Sequence, residues 1–339
     1  MGYAAIKQRI ITLSAAALFA LPVAAQPAEP GRAVTGKPQN EVFLQNADLS
    51  GWLLDNAGNR GRDGGGFNLL AHRRYPGLSF YRANQVGLNF EHIFNGAAVD
   101  NAIAMFTPRK EPNYLLKQGP QNATLRWPAD MSAWGVECSM TYTFTEPDAI
   151  DMQFTAVPRV AKWPQGYLAF MWASYMNCTV ARPIHFWGAD RGEARWLKFG
   201  EADDSAQGFE TGTVAYAGVA PLPFDPDAQS LNIVEHPTKR FLYPFYYGLI
   251  DGDHDLDTDG ETLAYILMFD QSEPIRFALW NFIKDPAENP DPHSPAWDWQ
   301  YVIREPKVGH RYGYRMRVVV TPFSGRQDVL ARYRAWAGE

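Results

Sequence analysis

What this 339-residue chain lacks narrows it first. It holds two cysteines, Cys138 and Cys178, and no Cys-x-x-Cys pair, so a thiolate zinc site has no basis. Neither cysteine has a neighbouring His or Lys to activate a thiolate. A disulfide between them in an oxidising compartment and two separate buried thiols both fit the sequence. Charged residues make up only 20%, and the formal net charge of −6 argues against nucleic acid or anionic membrane as a partner. Beyond the N-terminus no stretch reaches ~18 uninterrupted apolar residues, which excludes a polytopic membrane protein. Gly-x-Ser-x-Gly, His-Glu-x-x-His and Walker motifs are all missing, which disfavours an α/β-hydrolase, a zincin and a P-loop enzyme.

What is present is aromatic: 11 Trp, 16 Tyr and 20 Phe, with 46% hydrophobic residues overall. Disordered chains are poor in aromatics, and coiled coils run on Ala, Glu, Lys and Leu, so neither class applies. Residues 1–25 read as a secretory signal: Lys7 and Arg9 precede the apolar run Ile10–Leu21, and Val23-Ala24-Ala25 forms a small-residue cleavage site. The expectation is a periplasmic or extracellular protein with no integral membrane contact once processed. Residues 26–42 are expected to be an extended leader, and 43–339 a single domain.

Period-two patterning dominates that domain. Cys138, Met140, Tyr142 and Phe144 oppose Ser139, Thr141 and Thr143. Ile150, Met152 and Phe154 follow the turn Glu146-Pro147-Asp148, which predicts a hairpin. Residues 167–175 are apolar on both faces and predict a central strand. Further strands are expected over 263–269, 276–282 and 312–320. The one convincing helix is C-terminal: Ser324 with Gln327 suggests a capping box, and Val329, Leu330, Tyr333 and Trp336 form an apolar stripe. The fold class this predicts is all-β, a large antiparallel β-sandwich with a short C-terminal helix.

Five constellations carry chemistry. In the segment 87–96, Asn89 and Glu91 share a polar strand face, which suits sugar hydroxyls. Strict alternation places His92 on the other face with Phe90 and Phe94, so that Glu91 and His92 do not act together. A cluster of Arg60, Arg62, Arg73, Arg74 and Arg82, with Tyr81 beside it, suits a carboxylate or sulfate, or else a solvated surface. The run Asp251–Glu261 contains Asp253 and His254, candidates for a ligand-contacting rim. Its Asp255, Asp257 and Asp259 copy the start of an EF-hand loop and suggest a structural Ca²⁺; Ile266 stands where the bidentate Glu belongs, and an exposed turn fits equally. His236, between Glu235 and Pro237, precedes an aromatic run containing Tyr246 and Tyr247. Finally, alternation puts Trp297 and Trp299 on one face, where an exposed pair makes a sugar platform and a buried pair makes core.

The signal peptide, short strands, aromatic surplus and the segment Leu88-Asn89-Phe90-Glu91-His92 together resemble secreted carbohydrate-active β-sandwich proteins of the galactose-mutarotase-like supersandwich group. That resemblance implies the architecture; it assigns no residue. The favoured expectation is an enzyme that cleaves glycosidic bonds in an acidic glycan, by hydrolysis or elimination. Glu91, His92, His236 and Asp253 are its candidate catalytic groups. A non-catalytic glycan binder and a mutarotase-type isomerase, with His as acid and Glu as base, are the alternatives. Glu91→Gln is expected to abolish turnover with an almost unchanged thermal midpoint.

Overall fold

The computed structural model describes residues 38–57, 64–76, 78–82, 85–98, 103–204, 208–228, 233–253, 261–280 and 295–339. The expected signal therefore lies outside the described residues, as does most of the leader. The strands in chain order are β1 (Pro38–Gln39), β2 (Glu41–Gln45), β3 (Leu49–Leu54), β4 (Gly66–His72), β5 (Asn89–Phe94), β6 (Tyr114–Lys117) and β7 (Asn122–Trp127). Then come β8 (Val136–Thr145), β9 (Ala149–Pro158), β10 (Tyr167–Ala173), β11 (Ile184–Asp190), β12 (Glu193–Phe199) and β13 (Gly212–Ala215). The last are β14 (Lys239–Phe241), β15 (Phe245–Asp251), β16 (Thr262–Phe269), β17 (Ile275–Trp280), β18 (Ala296–Arg304) and β19 (Tyr312–Pro322). Among the described residues two α-helices, α1 (Thr107–Lys110) and α2 (Arg326–Ala337), accompany them.

These strands form an antiparallel sandwich. An eleven-stranded sheet runs β1-β6-β7-β8-β9-β19-β16-β15-β11-β12, with β14 also on β11. A five-stranded sheet runs β13-β17-β18-β10-β5, and β2-β3-β4 form a third. The inward residues of β8, from Cys138 to Phe144, meet those of β10 and β18 in one core, where Phe170, Trp172, Trp297 and Trp299 are almost fully buried. Each such large side chain contributes roughly 1.5–3 kcal/mol by leaving water. β10 is buried on both faces, as its sequence predicts: Phe170 and Trp172 enter this core, while Ala169 and Met171 join an apolar cluster on the sheet's outer side. On the outer side of the large sheet, α2 lays Val329 and Tyr333 over Ala149, Val319 and Phe245.

Two expectations change, and one open alternative is resolved. The sheet starts at Pro38, inside the expected leader, because β1 pairs with β6; a proline is tolerated as the first residue of an edge strand. The capping box does not form: the N-cap of α2 is Gly325 and makes no side-chain cap bond. Both cysteines are free; Cys138 sits in the core, where burial pushes its thiol pKa well above the usual range.

One close approach fixes the layer spacing. A Cβ on Gly248 of β15 meets the Trp297 ring at 2.0 Å. Gly248→Ala is therefore expected to cost at least the ~1–3 kcal/mol typical of overpacking, read as a fall in the denaturant midpoint.

Candidate active site

The site begins with a break in alternation. Across the β5–β10 ladder His92 opposes Met171 and Phe90 opposes Trp172, so Glu91 is an extra residue. Such a bulge places two residues of one strand against one of its partner. Phe90 and Ile93 then both enter the core. Glu91 and His92 both line a cavity on the outer side of the five-stranded sheet, with His92 Nε2 3.4 Å from Glu91 Oε2. The expectation that these two groups lie on opposite faces is thus corrected, and the bulge is the reason.

The cavity has a volume of about 200 Å³ and is lined by Glu91, His92, Phe106, Arg109, Met171, Tyr175, Trp280 and Asp298. Its roof is α1, started by Pro108 near its N-terminus, where the missing N–H costs nothing. Arg109 of α1 pairs with Glu91 Oε1, and its guanidinium lies 4.4 Å from the centre of the Phe106 ring. Phe106 in turn meets the His92 ring edge-on at 4.1 Å. The Tyr175 hydroxyl donates to Glu91 Oε1 at 3.1 Å. Asp298 accepts a hydrogen bond from the Ser174 backbone N–H at 3.0 Å. Trp280 also lines the cavity, and its buried Nε1 has no acceptor among the described residues.

Burial separates the protonation states. It pushes the Asp298 carboxyl well above its usual range, and the nearby Glu91 charge pushes further the same way. Burial also draws His92 down to about 3, helped by the Arg109 charge, so the imidazole is neutral at physiological pH. The group keeps its proton off in the folded state but takes one up when unfolded, below the usual pKa of 6.5. Wild-type stability should therefore fall as pH drops from about 6.5 towards 3, on account of His92. His92→Gln should remove that part of the slope, seen as a smaller loss of thermal midpoint between pH 7 and pH 4.

The other candidates lie elsewhere. His236 hydrogen-bonds to Thr213 through its backbone N–H, beyond the β13 edge of the sheet that carries Glu91 on its β5 edge. Its Nδ1 accepts from the Thr238 and Lys239 backbones and its Nε2 faces Glu210 at 3.2 Å, so the ring braces a turn. Arg73 donates to the Asn46 and Ala47 carbonyls, and Arg74 pairs with Glu261. Neither is at the cavity. Arg60, Arg62, His254, Asp255, Asp257 and Asp259 lie outside the described residues; Asp253 is half-buried at the end of β15 and does not line the cavity. Among the described residues no group of three or more His, Cys, Asp or Glu is placed to hold a metal.

The aromatic candidates are core. Trp297 and Trp299 do share a face, but that face points inward: Trp299 stacks on Trp172 at 5.5 Å and donates to the Tyr314 hydroxyl at 2.6 Å, and both rings are wholly buried. β18 sits in the middle of its sheet, so its apolar side has to meet the facing layer. Tyr81 is buried against the Tyr265 hydroxyl, Tyr247 stacks on His185, and Asn89 is buried. Tyr246 donates to the backbone carbonyl of Asp298 and so steadies it from the core side. The sequence did not single out Arg109, Tyr175, Trp280 or Asp298. For Asp298 a signal existed: a residue between two inward tryptophans must face outward.

No protein-family model matches the chain, and no curated protein matches it. Solved structures resemble it at low identity. A galactose mutarotase-like protein from Lactobacillus casei aligns with 83% of this chain and 100% of its own, at 9% identity and a TM-score of 0.47. An aldose epimerase homologue from C. elegans covers 84% of this chain and 100% of its own, at 12% identity and a TM-score of 0.39. Heparan sulfate lyase from Pedobacter heparinus covers 86% of this chain and 38% of its own, at 9% identity and a TM-score of 0.36.

Proposed function

We propose that the protein is a carbohydrate-active enzyme that performs acid–base chemistry at the anomeric carbon of a single sugar ring. The observation that carries this reading is the carboxyl pair Glu91 and Asp298 in one cavity, one paired with Arg109 and the other held protonated by burial. Two carboxyls in one cavity, one ion-paired and the other held protonated, can divide the roles of base and acid between them. Glu91 accepts a proton, and Asp298 delivers one to the departing or ring oxygen. Neutral His92, Tyr175 and the Trp280 N–H supply the hydrogen bonds that orient hydroxyls.

Size favours a ring over a chain. At about 200 Å³ the cavity is below the ~300–1,000 Å³ usual for drug-sized ligands, yet larger than the ~150 Å³ that holds benzene. A terminal or free sugar fits that space better than the middle of a polymer. Of the arginine cluster, Arg73 and Arg74 lie away from the cavity and lend the acidic-glycan preference no support.

The test is a panel of free aldoses and aryl glycosides. Anomer exchange is followed by NMR and bond cleavage by reducing ends. The expected result is turnover of at least one class that disappears in Asp298→Asn. Turnover that survives both Glu91→Gln and Asp298→Asn contradicts the assignment, and so does no turnover across the panel.

A further inference from the structure

The opposite side of the sandwich carries a second hollow, of about 300 Å³, on the outer surface of the large sheet. Its floor is two rows of side chains crossing three strands in register. Thr141 of β8, Gln153 of β9 and Arg315 of β19 form one row, and Thr143, Asp151 and Arg317 form the next. These are the outward positions of strands whose alternate residues fill the core, so the rows lie side by side on one face. One wall is the half-buried ring of Trp336, from the last turn of α2.

The charges here are already matched. Arg317 grips Asp151 with two hydrogen bonds of 2.7 Å, and Arg315 pairs with Asp270 at 3.1 Å. An anion gains little from cations that are spoken for. What is offered is a dense set of fixed donors and acceptors, namely hydroxyls, an exposed amide and the outer edges of two ion pairs, beside an aromatic ring. A hydroxyl-rich ring with an apolar face matches all of these at once: its hydroxyls meet the polar rows and its face meets Trp336.

We propose that this hollow is a second carbohydrate-binding site, for an uncharged sugar unit, on the face away from Glu91. It shares a ligand class with the proposed activity but stands on different residues, so either can fail alone. The test titrates the full protein with maltohexaose, cellohexaose, xylohexaose, mannohexaose and tri-galacturonate, by calorimetry. At least one neutral oligosaccharide is expected to bind, and Trp336→Ala and Gln153→Ala should each weaken that binding tenfold or more. Turnover at the Glu91 cavity should stay unchanged in both. Gln153 is exposed, so its variant reports even if Trp336→Ala loosens α2. The proposal is overturned if no neutral oligosaccharide binds, if both variants bind as wild type does, or if tri-galacturonate is the preferred ligand of the Trp336 site.

Discussion

Asp298→Asn should lower kcat by roughly 10²–10⁴, the range general acid catalysis supplies, while the protein gains stability at neutral pH. The substitution keeps shape and keeps the acceptor for the Ser174 N–H, but removes the acidic proton. The stability effect follows from the raised pKa. Above the usual aspartate value of 3.8 the unfolded chain ionises Asp298 while the folded protein holds it protonated. The folded state then binds more protons, so stability falls as pH rises from that value towards the folded pKa. Asparagine has no such slope. The variant and wild type should converge at low pH, with the variant ahead at pH 7, as thermal midpoints across pH 3–8 will show. A catalytic loss paired with a stability gain separates a working acid from a structural residue.

Glu91→Gln should also abolish turnover, but it should not leave the thermal midpoint untouched, as sequence reasoning expects. Glu91 is buried, and its Arg109 partner is only 18% exposed at the side chain. Removing one partner leaves a charge with little water around it, and breaking buried pairs typically costs ~3–5 kcal/mol. The double variant Glu91→Gln with Arg109→Met should recover most of that stability and none of the activity. Denaturant midpoints of the single and double variants check this. Equal stability of wild type and Glu91→Gln would mean that the ion pair contributes little.

The sandwich was legible because a core between two sheets demands period-two patterning, and residues 138–144, 150–156 and 312–320 keep it. Glu91 stood out as a carboxylate among the hydrogen-bonding residues of its segment, and it does line the cavity. Its partners were not legible. A bulge is a local insertion that leaves both flanking patterns intact, so its only trace is the spacing of Phe90 and Ile93, which reads as core only once the register is known. Asp298 reaches the cavity because β18 lies one strand from β10, and Arg109 because four helical residues fold over β5. Both depend on pairings between distant segments. Trp297 and Trp299 misled because a proline-rich approach suggests a loop, whereas strand pairing on both sides of β18 buries them.

The central claim is that Glu91 and Asp298 act on one sugar in one cavity. The most direct measurement is turnover of the sugar panel by wild type and Asp298→Asn, side by side, with thermal midpoints taken on the same samples. The account predicts measurable wild-type turnover, a loss of two orders of magnitude or more in the variant, and a variant midpoint at pH 7 no lower than wild type. Undiminished turnover in a folded Asp298→Asn protein would contradict it.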